Sequence, residues 1–118
     1  MVLVDTSIWI NHFRKADRYL LQFLEEGGVF LHPFIIGEIS LGNIKQRTEV
    51  LGLLKKLPMV ELLSDEEVLI FVEKHKLFGK GIGWIDTHLL ASTYLSQFKL
   101  LTHDKNLSLI AQKLGLSF

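Results

Sequence analysis

Four acidic residues stand apart from the other carboxylates of this 118-residue chain. Asp5 follows the apolar run Val2–Val4, and Asp104 follows the run Lys99–Thr102 by two positions. Glu38 interrupts the apolar stretch Phe34–Ile39, and Asp86 comes directly after Trp84-Ile85. Other acids, such as Glu25, Glu26, Glu66 and Glu67, fall on polar faces or in capping turns, where a solvated role suffices. Carboxylates gathered in one cleft repel one another, and partial burial raises the cost of their charge. A divalent cation removes that conflict. Hard oxygen donors favour Mg²⁺ or Mn²⁺, which keep waters of their own and bind through few carboxylates.

The elements that must position these acids follow from hydrophobic pattern and punctuation. Val2–Val4, Val29–Leu31 and Lys99–Thr102 read as short buried strands, with Val60–Leu63 a weaker one and Leu116–Phe118 a strand stub. Helices are predicted over Ile8–Arg14, Asp17–Glu26, the segment opened by Pro33, about Ile44–Leu57, Ser64 to about Leu77, Trp84–Gln97 and about Lys105–Leu114. Ser64 with Glu67 three residues later has the form of a capping box. Strands of three to five residues alternating with longer helices predict one α/β domain over residues 1–118, with a short parallel sheet flanked by helices. In such a sheet the carboxyl ends of the strands share one edge, where ligands bind. Asp5 and Asp104 would stand at that edge, and Glu38 and Asp86 would lie in the first turns of helices leaving it. Taken singly, Asp5 and Asp104 read equally well as N-caps.

Composition narrows the function. With 48% hydrophobic and 22% charged residues the chain is that of a folded domain. The absence of cysteine excludes a disulfide scaffold, a thiol nucleophile and a Cys-based zinc site. Thirteen basic and thirteen acidic residues cancel, so nucleic acid would be held by local basic groups or by metal instead of bulk charge. No apolar stretch approaches the length of a membrane span, and we expect a soluble, cytoplasmic protein.

Weaker signals surround the acids. Thr6, Ser7 and Thr102 could hold a carboxylate, a water or a phosphate, although caps and strand ends favour such residues anyway. Ser7 lacks the G-x-S-x-G setting of a nucleophile. The five histidines show no metal-ligand spacing and read as surface or core. Gly79-Lys80-Gly81-Ile82-Gly83 lacks phosphate-loop spacing and reads as a mobile approach to the cleft. Trp9, Phe13, Phe34 and Trp84 read as core.

With those residues in place the whole chain resembles the PIN-domain family, and within it the VapC-type toxins of toxin–antitoxin pairs. The resemblance rests on Val4-Asp5-Thr6-Ser7, on Pro33-Phe34-Ile35-Ile36-Gly37-Glu38, on Gly81-Ile82-Gly83-Trp84-Ile85-Asp86-Thr87-His88-Leu89-Leu90-Ala91-Ser92 and on Leu101-Thr102-His103-Asp104-Lys105. It implies a three-layer α/β/α fold and an Mg²⁺- or Mn²⁺-dependent endoribonuclease. Asp5, Glu38, Asp86 and Asp104 would be its catalytic acids, with Asp5, Asp86 and Asp104 on the metal and Thr6 and Thr102 in support. Many relatives carry a further acid three or four residues after Asp104, where this chain has Leu107 and Ser108, so a one-metal site is expected. Arg14, Lys15, Lys80 and Lys105 are candidates for holding the RNA backbone. A cognate antitoxin would inhibit the enzyme by packing on Ile8–Arg14 and Ile35–Leu41 and sending a basic side chain into the acids. A homodimer is also implied, with Phe71, Leu77 or Phe78 at its interface. The alternatives are a non-catalytic PIN-fold binding module and a receiver-type phosphotransfer domain. The latter lacks its adjacent acids after the first strand and its Asp after the third.

Overall fold

Val2–Val4 forms β1, and all three side chains are fully buried. In the computed structural model, which describes residues 1–118, β1 is the middle strand of a three-stranded parallel sheet. Its neighbours are β2 (Val29–Phe30) and β3 (Lys99–Leu101), with Val2 opposite both Val29 and Lys99 and Val4 opposite Leu101. A strand paired on both edges and covered on both faces has no solvent side, which is why its sequence is an unbroken apolar run.

The first crossover contains α1 (Thr6–Arg14) and α2 (Arg18–Glu26). The second contains α3 (Pro33–Ser40), α4 (Arg47–Leu54), α5 (Asp65–His75) and α6 (Trp84–Ser96), and α7 (Lys105–Lys113) follows β3. The strand order β2-β1-β3 means that the chain leaves β1 in one direction and later returns across it. Right-handed crossovers in opposite directions place their helices on opposite faces of the sheet, giving the three-layer α/β/α arrangement. The core runs through both layers, with Leu3, Ile8, Leu20, Ile35, Leu89 and Leu107 essentially inaccessible. Local signals set the boundaries. Asp17 caps α2, whose far end turns through Gly27 at a φ of 74°. The Ser64–Glu67 capping box opens α5 with both of its hydrogen bonds formed.

Four expectations are corrected. The helix predicted from about Ile44 to Leu57 is confined to Arg47–Leu54, because Gln46 takes a left-handed φ of 52° and cannot extend it backwards. Val60–Leu63 is not a strand. One parallel bridge joins Leu31 to Met59 and the Val60 amide donates to the Leu31 carbonyl (2.7 Å), but Ser64 already caps the next helix. Leu116–Phe118 likewise contributes one acceptor, the Leu116 carbonyl to the Leu100 amide (2.7 Å), and no strand. Phe71 and Leu77, expected at a dimer surface, are buried in the core, whereas Phe78 is 59% exposed.

The central strand should therefore dominate stability. Leu3→Ala is expected to cost about 2–5 kcal/mol in urea denaturation, the range for deleting a buried Leu side chain. Leu53→Ala, at a position 64% exposed, should cost less than about 0.5 kcal/mol.

Candidate active site

The carboxyl edge of β1 and β3 is a point where strand order reverses, and the acids converge there. Asp5 directly follows β1 and is the N-cap of α1. Asp104 follows β3 and is the N-cap of α7, its Oδ1 accepting from the Leu107 amide (2.9 Å). Glu38 sits on the second turn of α3 and Asp86 on the first turn of α6. The four predicted acids thus come from four separate elements to one edge.

Asp5 is the most constrained of them. Only 6% of its surface is accessible, and its carboxylate accepts three hydrogen bonds. The Thr6 amide donates to Oδ1 (2.7 Å), while the Ser7 hydroxyl (3.1 Å) and the Thr102 hydroxyl (2.7 Å) both donate to Oδ2. Thr102 links the two strand ends, because its hydroxyl oxygen also accepts from the Asp104 amide (3.1 Å). Ser7 is linked in turn, accepting from the His103 amide (3.0 Å). The Asp5 amide donates to the Leu101 carbonyl (2.9 Å), continuing the β1–β3 ladder by one residue. Ser7 therefore orients Asp5 as Thr102 does, one of the roles its residue type and place allowed. Thr6 acts elsewhere: its hydroxyl donates to Glu38 Oε1 (2.8 Å) and fixes α3 against the start of α1.

The electrostatics register how close the acids are. Burial first, and then the charges of Asp5, Asp104 and Glu38, together raise the Asp86 pKa to about 6. No Lys or Arg forms an ion pair with any of the four; Asp65, outside the cleft, is hydrogen-bonded to His88 Nε2 (3.0 Å). Asp5, Glu38 and Asp104 are oriented by hydroxyl and amide donors, and no basic side chain neutralises any of the four. No three metal-binding side chains close tightly enough around one point to enclose a bare ion.

The basic candidates divide. Lys105 is exposed on the residue after Asp104, and Lys80 is exposed in the loop before α6. Arg14 and Lys15 do not join them. They lie at the far end of α1, a rise of ~12 Å from the Asp5 cap, and Arg14 lines a separate groove with Ile10, Phe13 and Lys45. The aromatic expectation is corrected in part. Trp9 is buried and donates from Nε1 to the Val4 carbonyl (3.1 Å), and Phe13 packs against the core, but Phe34 and Trp84 are 37% and 42% exposed. Both rings stand edge-on to buried His88 at 5.1 and 4.9 Å, at the starts of the helices that carry Glu38 and Asp86. The buried histidines are structural. His32 caps α3 by accepting from the Phe34 amide at Nδ1 (3.0 Å), which requires a neutral ring. Burial, aided by His88, lowers its pKa to about 4 and keeps it neutral.

Asp86 gives a pH test. Its folded pKa lies above that of the unfolded chain, so ionisation destabilises the fold, fully so above about pH 6 and not at all below about pH 4. In EDTA, Asp86→Asn should melt at a higher temperature than the native protein at pH 7.5. The difference should shrink as pH falls from 6 to 4, measured by circular dichroism.

Comparison with known proteins agrees with this geometry. The sequence is 41% identical over 118 residues to Ribonuclease VapC32 of Mycobacterium tuberculosis, in both the CDC 1551 / Oshkosh and the ATCC 25618 / H37Rv strains. The alignment covers 99% of this chain and 95% of each relative. Residues 2–113 match the PIN domain, a span that takes in all four acids and every strand and helix described above. The chain belongs to the PIN domain family.

Proposed function

We propose that this protein is a metal-dependent endoribonuclease, the toxin of a toxin–antitoxin pair, that hydrolyses RNA phosphodiester bonds at the Asp5–Glu38–Asp86–Asp104 cleft. The observation that carries the reading is the convergence of four unneutralised carboxylates at one sheet edge in a chain of this family. The residues fit Mg²⁺ or Mn²⁺, held by Asp5, Asp86 and Asp104, with Glu38 acting through water. When bound, the cation supplies an activated water, a fixed position for the phosphate and compensation of developing charge.

The chain's own part is preorganisation. Three donors lock the Asp5 carboxylate in one orientation before any ligand arrives, and Thr6 does the same for Glu38. Asp104 spends Oδ1 on capping α7, which leaves Oδ2 directed by a rigid helix terminus. Hydrolysis by an activated water needs no 2′-hydroxyl and leaves a 5′-phosphate and a 3′-hydroxyl. Selectivity for RNA then comes from contacts to single-stranded shape or to the 2′-hydroxyl away from the acids.

The partners follow the same reading. A cognate antitoxin would be the source of inhibition in the cytoplasm, reaching the acids with an Arg or Lys that takes the place of the cation. Within and beside the expected segments, Ile8–Arg14 and Ile35–Leu41, the buried and the open side chains divide. Ile8, Trp9, Ile35 and Ile39 are buried and unavailable, whereas a groove of ≈ 870 Å³ beside them is lined by Ile10, Phe13, Ile44 and Val50. A homodimer would use exposed apolar side chains of α5 and the following loop, Leu69, Ile70 and Phe78. No helix is long and apolar enough to cross a membrane.

Two experiments test the site. Asp5→Asn should abolish cleavage of single-stranded RNA in gel assays with Mg²⁺ or Mn²⁺ while the far-ultraviolet circular dichroism spectrum stays native; a folded variant that cleaves normally sinks the assignment. Millimolar Mg²⁺ or Mn²⁺ should raise the melting temperature of the native protein, since a ligand that binds only the folded state stabilises it. That shift should vanish in an Asp5→Asn/Asp104→Asn double variant, and an undiminished shift there would place the metal elsewhere.

A further inference from the structure

Residues 78–83 join α5 to α6 and pass over a small apolar cavity of ≈ 230 Å³ lined by Leu69, Val72, Leu77 and Trp84. Gly79 and Gly81 adopt φ angles of +70° and +77°, so the loop displays Lys80 between two left-handed positions that suit glycine. Residues 78–82 make no backbone–backbone hydrogen bond. One side chain reaches them: Asn106 Nδ2 donates to the Lys80 carbonyl (3.0 Å). A Cβ placed on Gly81 would meet the same nitrogen at 3.5 Å, an ordinary contact, so it is the φ of Gly81 and not its space that suits glycine.

The position of Asn106 matters. It lies on the first turn of α7, two residues after Asp104, which caps that turn. The other end of the loop runs through Gly83, the N-cap of α6, to Asp86 three residues later. A single helix terminus therefore holds both an acid of the cleft and the loop that carries Lys80. The Lys80 ammonium is exposed and makes no ion pair.

We propose that Asn106 is a positioning residue for RNA: by tethering the Lys80 backbone it fixes a cation at the rim of the acidic cleft, where it takes a backbone phosphate. The proposal rests on the nuclease reading above and goes beyond it. An acidic cleft in a chain with no net charge repels a polyanion, so substrate capture needs basic groups placed at the rim. A lysine on an untethered, glycine-flanked loop would have to be ordered at the moment of binding, at an entropic cost. The Asn106 tether meets that cost during folding.

The test measures binding of a fluorescein-labelled single-stranded RNA by the full chain in EDTA, by anisotropy, so that cleavage does not intervene. Lys80→Ala and Asn106→Ala should each weaken binding about fivefold, the scale of one charged contact. Each should also reduce the slope of log K against log salt by about 0.7, the value for one phosphate contact on a single strand. The double variant should bind no more weakly than Lys80→Ala. Asn106→Asp, which keeps the side-chain volume but sets a carboxylate against the carbonyl, should match Asn106→Ala. Backbone ¹⁵N order parameters at residues 78–83 should fall in both Asn106 variants without RNA. In Mg²⁺, KM for cleavage should rise while kcat changes less than about twofold, since only ground-state capture is lost.

Native binding and salt slope in both Asn106 variants would overturn the proposal. So would an equal loss in the Lys80→Ala background, because the effect would then not run through Lys80. Failure of the native protein to bind RNA in EDTA would overturn it too, and would leave the nuclease reading to the cleavage assay, because that reading gives the metal a part in holding the phosphate. The expected binding pattern without cleavage in either cation would overturn the nuclease reading alone and leave the tether supported.

Discussion

A buried carboxylate must be solvated by the protein around it, and at Asp5 that requirement organises the domain. Its three donors come from the first turn of α1 and from the end of β3, nearly a whole chain length away. The same residue extends the β1–β3 ladder through its amide and stops β1 by capping α1. Satisfying one side chain thus fixes the register of the central strand pair, the start of a helix and the spatial relation of Asp5 to Asp104. Leaving any of these donors out would strand charge in a site with little water, at a cost of several kcal/mol in general terms.

The cleft also sets stability against function. The core supplies the favourable term through β1 and the helices on both of its faces, while the acids at the sheet edge oppose it. Active sites are where folds tolerate such opposition, because preorganised charge is what the chemistry requires. The polar groups nearby are arranged to orient the carboxylates and not to neutralise them, which separates this cluster from a structural ion-pair network. His32 shows the contrasting solution: a titratable group made neutral by burial so that it can serve as a cap.

Much of this was legible in the sequence, and the exceptions have physical causes. Val2–Val4 could be read as a central strand because burial on both faces leaves an unbroken apolar run, and Ser64–Glu67 announced its helix through a local capping box. The four acids were legible because each stands at a strand end or in an apolar stretch where a solvated role fits poorly. Val60–Leu63 has the composition of a strand, but strand pairing is non-local, and the adjacent cap at Ser64 competes for the same residues. Arg14 and Lys15 are basic, but a helix carries its far end away from its cap, so composition alone does not say how far from Asp5 they stand. Phe34 and Trp84 are aromatic at helix starts, where hydrophobicity alone does not say which face is turned outward. The Ser7 and Asn106 contacts span 96 and 26 residues, and no local pattern encodes either of them.

The acids sit at positions 5, 38, 86 and 104, so the cleft is spread over almost the entire polypeptide. During synthesis β1 emerges well before β3, its partner on one side. Until residues 99–104 arrive, Asp5 lacks Thr102, the sheet lacks an edge and Asp104 does not exist. Assembly of the cleft is therefore gated by residues 99–104: a chain stalled before them cannot bring Asp5 and Asp104 together. A ribonuclease harmful to the cell that makes it thus has no complete set of acids until β3 has joined the sheet.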